Sequence, residues 1–562
     1  MRFSSAVAIC LLCASPTGIE AQSPAPAATP ADLIVTNARI YTVDEGRPVA
    51  EAMAIRGSRV LFVGSERGAL ALRGAQTTLL DAGGATVIPG IADAHAHLLG
   101  LGFTLSEVDL VGTTSYEEVI ARVAARAREV PAGTWILGHG WDQNDWPDTR
   151  LPIHDALSRA VPNHPVSLSR IDGHAVLANA AAMRLANVTA STRDPAGGRL
   201  ERGAGGAPTG VFVDNAMDII ESRIPAPTHD QIRNATLAAI HEANRFGLTS
   251  IHDAGVAPEV IDVYEELARA GQQTLRNYVM VRGDDSTLAK YFRRGPQSAL
   301  YDGHLWIRAI KLIADGAMGS RGAALLDPYS DDPNNRGLLL EPPGRIQDVA
   351  VRALRNGFQL NVHAIGDRAN RLVLDAFEAA LKQVPTADHR FRVEHVQLLN
   401  YADVPRFAEL DVIPSMQTSH ATSDMYWTPT RIGYGRTLGS YAWRSLLNTG
   451  VVIANGTDFP VEEVNPLRTF HSAVTRQDEH NWPAGGWFPD QRMTREEALK
   501  SMTIWAAYAA FQEHDLGSLT PGKYADFVIL DRDIMRIAPE DILGTQVVAT
   551  YIGGRAVYQK SK

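Results

Sequence analysis

The strongest constraint on the fold is an alternation of short apolar runs with amphipathic helical stretches over residues 87–515. This alternation is typical of parallel α/β folds, in which a helix returns the chain to the start of the next strand. Eight runs qualify as strands, and eight strands with intervening helices predict a (β/α)8 TIM barrel. The eight runs are residues 85–94, 248–253, 275–281, 305–313, 358–363, 391–395, 411–415 and 451–455.

Two histidines directly follow the first run, in the sequence Ala94-His95-Ala96-His97. Side chains alternate in direction along a strand, so His95 and His97 are expected to point the same way. Two neutral imidazoles on one face at a strand end form half of a transition-metal site. The pair alone also fits two histidines that other partners satisfy, so the metal hypothesis depends on ligands from later strands.

Residue types that bind metals recur near the ends of four later runs, as Lys311, His363, His395 and Asp458. His363 and His395 are 32 residues apart, and His395 and Asp458 are 63 apart. These gaps match one and two βα units of about 30 residues each. Catalytic groups of a TIM barrel come from the carboxyl ends of its strands, so these side chains are expected to meet. Individually, each histidine also fits a core position, and Asp458 also fits a turn.

The ligand types predict a centre for two divalent cations. His95, His97 and Asp458 would hold one cation, and His363 and His395 would hold the second. Two cations about 3.5–4 Å apart share a bridging ligand and a hydroxide. Asp458 is the predicted catalytic base, which takes the proton of the attacking water and then protonates the leaving amine.

Lys311 is the predicted bridge between the two cations. It lies between Ile310 and Leu312, and apolar surroundings lower the pKa of a lysine. A neutral amine reacts with carbon dioxide to give a carbamate, which is a negatively charged oxygen ligand. The alternative is an unmodified barrel lysine paired with a carboxylate such as that of Asp315.

The N-terminus has the pattern of a secretory signal peptide over residues 1–21. Arg2 supplies a positive charge, residues 6–14 are apolar, and a plausible cleavage site precedes Gln22. The apolar run is too short to span a bilayer, and the alternative is an uncleaved anchor. Residues 22–31 form a Pro/Ala-rich linker.

The positions of the cysteines and the net charge limit where the protein is expected to function and which partners it is expected to bind. Cys10 and Cys13 both lie in the predicted signal peptide, so the mature chain has no disulfide and no cysteine ligand. A chain without thiols suits the periplasm or the outside of the cell. The net charge of -10 argues against a nucleic-acid partner, because such partners require a basic face.

Two β-rich ends and one long insertion complete the predicted organisation. Residues 32–86 and 516–562 consist of short strands separated by Gly and Asp turns, which predicts a composite β-sandwich domain built from both termini. The alternative is two unrelated β caps. About 150 residues separate the first two barrel strands, so residues 104–230 are predicted to be an inserted subdomain over the active face.

Five motifs together resemble those of the amidohydrolase superfamily, and more closely its YtcJ-like branch, which includes N-substituted formamide deformylase. They are residues 89–97, 311–321, 363–369, 394–397 and 456–460. The resemblance covers nearly the whole mature chain and implies a metal-dependent (β/α)8 hydrolase, often with two zinc ions and a carboxylated lysine, here Lys311. Met318-Gly319 stands where Leu-Gly is more often expected.

Three residues are candidates for substrate binding. Within the resemblance, residues 172–174 match a segment that reaches toward the metals, so His174 is predicted to bind a carbonyl or leaving group. Trp141 lies in a Gly-rich loop and is predicted to line an apolar pocket. Arg321 is predicted to hold a carboxylate. The alternatives are a surface histidine, a loop anchor and an arginine that stabilises the barrel rim.

The leading hypothesis is a periplasmic or secreted metal-dependent hydrolase of non-peptide carbon–nitrogen bonds in a small-molecule amide substrate. A metal-activated hydroxide would attack the carbonyl while Asp458 shuttles the proton. The alternatives are a mononuclear deaminase or isomerase and a binding relative without catalysis. The sequence leaves open the exact substrate, the metal and whether the chain forms a homo-oligomer.

Overall fold

The computed structural model describes residues 29–561, so the predicted signal peptide and residues 22–28 of the predicted linker lie outside the described residues. Eight parallel strands pair in chain order, which confirms the predicted TIM-barrel fold. The barrel strands are β1 (Ile91–Ala96), β2 (Leu248–Val256), β3 (Arg276–Arg282), β4 (Leu305–Ile313), β5 (Gln359–Ala364), β6 (Arg392–His395), β7 (Ile413–Met416) and β8 (Ala454–Asn455).

The barrel is nearly closed by backbone hydrogen bonds beyond the end of β8. The N–H of Asp458 donates to the carbonyl of His95 at 2.8 Å, and the N–H of His97 donates to the carbonyl of Phe459 at 2.9 Å. The residues after β8 therefore continue the pairing along β1. This closure brings Asp458 beside the two histidines of the first strand.

Helices cover the outside of the barrel through apolar faces that repeat every three or four residues. In Asp367–Gln383 the buried face includes Val373, Ala376, Phe377 and Ala380, which is the spacing of one helical face. The longer helices are His229–Arg245, Pro258–Arg269, Asp285–Arg294, Pro343–Asn356, Asp367–Gln383 and Pro466–Thr475. No helix within residues 29–561 is long and apolar enough to cross a membrane.

Strands from both ends of the chain lie together in one six-stranded sheet. Its order is Arg555–Gln559, Val547–Ile552, Phe527–Leu530, Thr86–Pro89, Arg39–Tyr41 and Val49–Ala50. A four-stranded sheet contains Arg59–Gly64, Ala52–Arg56, Ala31–Thr36 and Arg73–Asp81. Met53, Val63 and Phe527 belong to one buried apolar cluster that draws on both sheets. The β-sandwich and the domain boundaries 32–86 and 516–562 stay predictions.

The first predicted barrel strand, residues 85–94, is two strands. Thr86–Pro89 pairs with Phe527–Leu530 in the terminal sheet, and β1 begins only at Ile91. Gly90 separates them, and its N–H donates to the carbonyl of Asp526 at 2.8 Å. A Cβ at Gly90 would collide with the side chain of Thr249 on β2. The close approach of these segments therefore sets the start of the barrel.

The segment between β1 and β2 contains a six-stranded sheet of its own. Its order is Gly198–Arg202, Pro208–Asp214, Ala175–Ala178, Val166–Arg170, Ile136–Trp141 and Val108–Asp109. All six strands fall within residues 104–230. The exact boundaries of the inserted subdomain stay a prediction.

A buried ion pair fastens the C-terminal segment to the barrel. Arg276 of β3 donates to Asp526 from Nε at 2.6 Å and from Nη2 at 3.0 Å. We expect Asp526→Ala to lower the free energy of unfolding by about 3–5 kcal/mol, because the arginine would stay buried without its partner. Urea unfolding measures this loss. Asp148→Ala, which breaks the exposed pair with Arg150, is the control, and an equal effect of both variants would contradict the prediction.

Candidate metal centre

Four side chains from opposite sides of the barrel meet beyond the carboxyl ends of β1, β4, β6 and β8. Lys311 Nζ lies 3.0 Å from His95 Nε2, and His95 Nε2 lies 3.6 Å from Asp458 Oδ1. The ring centroids of His95 and His395 are 4.7 Å apart. The sequence prediction that these residues converge therefore agrees with the geometry.

His95 is held in the protonation state that a metal ligand requires. Its Nδ1 lies 2.6 Å from Glu394 Oε2, and both side chains are fully buried. Burial, and next the nearby Lys311 charge, lowers the pKa of His95 to about 4, so the ring is neutral at pH 7. Because an ionised carboxylate only accepts hydrogen bonds, the single ring proton lies on Nδ1. Nε2 is therefore unprotonated, and its lone pair faces Lys311 Nζ at 3.0 Å.

His97 and Asp458 present two acceptor atoms to each other. His97 Nδ1 lies 3.2 Å from the carbonyl oxygen of Ala254, which places the proton of a neutral ring on Nδ1 and leaves Nε2 unprotonated. That Nε2 is 3.1 Å from Asp458 Oδ1, a buried oxygen that accepts no hydrogen bond from the described residues. Two acceptors this close fit a shared cation. His95, His97 and Asp458 have ligand atoms within 4.8 Å of one another.

His363 and His395 lie side by side at the ends of β5 and β6. Their ring centroids are 4.5 Å apart, and burial lowers the pKa of both rings well below the ordinary value. His395 Nδ1 lies 2.7 Å from Gln417 Oε1. His363 Nε2 is buried and has no hydrogen-bond partner among the described residues. Two neutral rings here suit the predicted second cation.

His420 is a site residue that the sequence analysis missed. It lies in the helix Thr418–Asp424 after β7, with Nε2 3.4 Å from Asp458 Oδ2 and Nδ1 3.0 Å from Glu462 Oε1. His395, His420 and Asp458 form a second group of ligand atoms within 4.8 Å of one another. Burial disfavours the charged ring, but the hydrogen bonds to the two carboxylates prevail and raise the pKa of His420 to about 10. The arrangement therefore suits a proton carrier better than a ligand.

The backbone is strained at two of the converging side chains. His395 has φ 75° and Asp458 has φ 61°, and Val396 also has a positive φ of 49°. Residues other than glycine in this region cost about 1–3 kcal/mol each and persist where the surroundings hold them. Such strain at the ends of β6 and β8 is expected of a functional site.

Asp93 fastens the strained segment after β8 to β1. Its carboxylate accepts hydrogen bonds from the N–H of Thr457 at 3.0 Å, the hydroxyl of Thr457 at 2.7 Å and the N–H of His95 at 3.2 Å. A Cβ at Gly456 would collide with this carboxylate and with the His95 nitrogen. Glycine at this position therefore allows the approach that places Asp458 beside His95.

Lys311 points into the cluster of ligands. The side chain is buried, and burial lowers its pKa to about 8. Asp315, the alternative partner, instead accepts hydrogen bonds from the backbone N–H groups of Ala324, Ile365 and Gly366 at 2.8–2.9 Å. The geometry therefore favours a role for Lys311 in the cluster over pairing with Asp315.

His174 reaches the centre from the insertion, beside the second pair of histidines. Its ring centroid is 5.2 Å from that of His363. Its Nδ1 lies 2.7 Å from Asp214 Oδ1, so the ring is fixed from behind. The structure thus brings this predicted substrate-binding residue to the site.

The other two residues predicted to bind substrate, Trp141 and Arg321, contact other parts of the protein instead. Trp141 is fully buried in the core of the insertion, and its Nε1 donates to the carbonyl of Leu168 at 2.8 Å. This position contradicts a role in lining an open pocket, because burial of the large ring stabilises the insertion instead. Arg321 donates to Asp331 from Nε at 3.2 Å and from Nη2 at 2.9 Å. Its bidentate contact is internal, which favours the alternative role at the barrel rim.

A comparison with known families identifies the chain. The amidohydrolase family profile matches residues 78–558, a range that contains every ligand described above. This chain belongs to the amidohydrolase family. Membership indicates a hydrolase and agrees with the sequence resemblance.

Relatives of this amidohydrolase match it over nearly their whole lengths. The LONG AFTER FAR-RED 3 protein of Arabidopsis thaliana is 34% identical over 95% of this chain and 92% of its own. The YtcJ protein of Bacillus subtilis (strain 168) is 31% identical over 93% of this chain and 98% of its own. N-substituted formamide deformylase of Arthrobacter pascens is 28% identical over 94% of this chain and 99% of its own.

A solved structure has the same fold. It is an uncharacterized metal-dependent hydrolase from Pyrococcus horikoshii OT3, with a TM-score of 0.73 and 27% identity. The match covers 90% of this amidohydrolase and 99% of that chain. The likeness therefore extends beyond the barrel to the flanking segments.

Proposed function

We propose that this amidohydrolase hydrolyses non-peptide carbon–nitrogen bonds of small amides with two divalent cations, with zinc the expected metal. The observation that carries the proposal is the pair of facing acceptors, His97 Nε2 and Asp458 Oδ1, 3.1 Å apart in the middle of the cluster. Similarity to N-substituted formamide deformylase supports an amide substrate. The solved metal-dependent hydrolase supports the use of a metal.

The first cation would be held by His95, His97 and Asp458, and the second by His363 and His395. When bound, the cations supply Lewis acidity and lower the pKa of water. We propose that Lys311 is carboxylated and bridges them. Its buried Nζ, 3.0 Å from His95 Nε2, supports this bridging position.

Asp458 and His420 are placed to move the proton of the attacking water. Asp458 Oδ1 faces the proposed first cation and lacks a hydrogen-bond donor within the described residues, and the carboxylate as a whole can accept that proton and then deliver it to the leaving amine. His420 lies 3.4 Å from the other oxygen of Asp458 and stabilises the ionised carboxylate before the first transfer and after the second. His174, beside His363, is positioned to bind the substrate carbonyl or leaving group.

Activity on a substrate panel tests the proposed reaction. The protein, purified and loaded with zinc, is assayed on formanilides, N-acyl amino acids and lactams by release of the amine. We expect hydrolysis of at least one class, abolished by chelation and restored by added metal. Deamination or isomerisation with a single bound cation would favour the mononuclear alternative. Tight ligand binding without turnover would favour a binding relative.

A variant of His420 separates a proton carrier from a ligand. We expect His420→Asn to lower kcat by about 10²-fold while both cations stay bound, because a positioned proton-transfer group contributes about 10²–10⁴-fold. Stopped-flow kinetics and elemental analysis of the same sample measure the two effects. Loss of one cation from the variant would instead make His420 a ligand.

We propose that the mature enzyme is periplasmic or secreted. The charged Arg2, the apolar residues 6–14 and the absence of cysteine after Cys13 support export. N-terminal sequencing of the enzyme from the periplasm or medium of an expressing bacterium is expected to begin at Gln22. An intact N-terminus on protein confined to the cytoplasm would contradict export.

A further inference from the structure

We propose that Glu394, held by Arg392, is a positioning residue that fixes the proton of His95 on Nδ1 and so sets the affinity of the first cation. The inference rests on the proposed metal centre and adds to it a residue that contacts no cation itself.

The Glu394 carboxylate and the His95 ring make a short contact, and both side chains are fully buried. Oε2 lies 2.6 Å from Nδ1, and neither side chain is exposed. The opposite nitrogen of the His95 ring, Nε2, lies 3.0 Å from Lys311 Nζ. Glu394 therefore acts on the side of His95 remote from the cluster, and any effect on a cation passes through the ring.

Arg392 keeps Glu394 charged and still. Its Nε lies 2.8 Å from Glu394 Oε1, and its Nη2 donates to Oε2 at 3.1 Å. The same Nη2 donates to Ser415 Oγ at 2.8 Å and to the carbonyl of Ala94, the residue before His95, at 2.5 Å. One buried guanidinium thus links β6 and β7 to the strand that carries His95. If the Glu394 side chain were free to rotate, His95 would lose both the acceptor for its Nδ1 proton and the contact that orients its ring.

The two histidines of the first cation site have acceptors of different strength. Glu394 offers His95 a charged oxygen at 2.6 Å, whereas His97 has the neutral carbonyl of Ala254 at 3.2 Å. A hydrogen bond to an ionised acceptor is about twice as strong as a neutral one, and it raises the basicity of the opposite ring nitrogen. His95 is therefore expected to dominate the affinity of this site, and Glu394 is the reason.

Metal binding by Glu394→Gln tests the assignment, since glutamine keeps the size and one acceptor oxygen but removes the charge. The full-length protein is stripped of metal and titrated with Zn²⁺ against a chromophoric chelator, and Co²⁺ absorption spectra report coordination. We expect one of the two affinities to fall by about 10–100-fold, with a changed Co²⁺ spectrum, while the other affinity is unchanged. Unchanged affinities for both cations would overturn the assignment.

Two controls separate positioning from loss of fold. Arg392→Met/Glu394→Gln removes both buried charges, so it avoids an unpaired arginine, and we expect the same loss of Zn²⁺ affinity. Wild-type affinity in the double variant would overturn the assignment. Asp526→Asn weakens the buried pair with Arg276 at the amino end of the barrel. We expect this variant to keep both Zn²⁺ affinities of the wild type. A fall in Zn²⁺ affinity equal to that of Glu394→Gln would also overturn the assignment. If the wild-type chain bound no Zn²⁺, the proposed function itself would fail.

Discussion

Replacement of Asp458 by asparagine is expected to lower kcat by at least about 10³-fold, because one carboxylate serves both as a ligand and as the proton carrier. The side chain sits between His97, at 3.1 Å from Oδ1, and His420, at 3.4 Å from Oδ2. An amide of the same size keeps the hydrogen-bonding shape but neither accepts a proton nor balances a cation. Initial rates at saturating substrate measure the loss.

The matched control for this variant is Asp526→Asn, which makes the same change at a buried carboxylate of the opposite end of the barrel. We expect it to lower stability while kcat stays near that of the wild type. If Asp458→Asn retained full activity with normal metal content, the mechanism would be wrong. A loss of kcat equal in both variants would point to unfolding instead.

Replacement of Lys311 by alanine is expected to have the second large effect, on both metal content and kcat. We expect the variant to lose at least one cation and to lower kcat by at least about 10³-fold, because the bridging carbamate cannot form. Acetate or formate added at high concentration is expected to restore part of the metal content and part of kcat, since a free carboxylate can occupy the space left by the side chain. Elemental analysis and initial rates, each with and without acetate, measure the result.

The control for the rescue is the same salt concentration supplied as chloride, which is expected to restore nothing. A Lys311→Ala enzyme that kept both cations and its activity would exclude a bridging role. Loss of activity with no rescue and with both cations retained would show that Lys311 acts as an unmodified amine. Native mass spectrometry of the wild type adds a direct check, since a carbamate increases the mass by one carbon dioxide.

The barrel could be predicted from sequence because its strands are nearly continuous apolar runs. Residues 305–313 were predicted and found unchanged as β4, and the other runs differ from the observed strands mainly at their ends. The error at residues 85–94 has a specific cause. The run continues through Gly90, but its two halves pair with different sheets, and no local pattern records a partner distant in the chain.

The same distinction separates the site residues that were predicted from those that were missed. The convergence of His95, His97, His363, His395 and Asp458 could be predicted because strand ends of a parallel barrel meet at one face. His420 instead lies on a short helix after β7. A histidine in a helix carries no spacing signal that relates it to a carboxylate 38 residues further on. Its position in the segment that directly follows a barrel strand is the one sequence signal that relates it to the site.

Side chains that bind substrate are harder to predict than ligands, since their roles depend on what else is near. Trp141 and Arg321 had suitable chemistry, but the first is absorbed by the core of the insertion and the second by Asp331. Neither partner is marked in the sequence. His174 lies beside His363, as the resemblance predicts, and Asp214 holds its ring in the observed direction. Its role in substrate binding stays a prediction.

The metal content of the purified wild-type protein tests the central claim most directly. After expression with zinc and exhaustive dialysis against metal-free buffer, elemental analysis against quantitative amino-acid analysis gives the number of cations per chain. The facing acceptors at His97 and Asp458 and the paired rings of His363 and His395 predict two. One tightly bound cation, with Lys311 unmodified by mass, would contradict the binuclear centre, and a protein that bound none would contradict the metal-dependent reaction altogether.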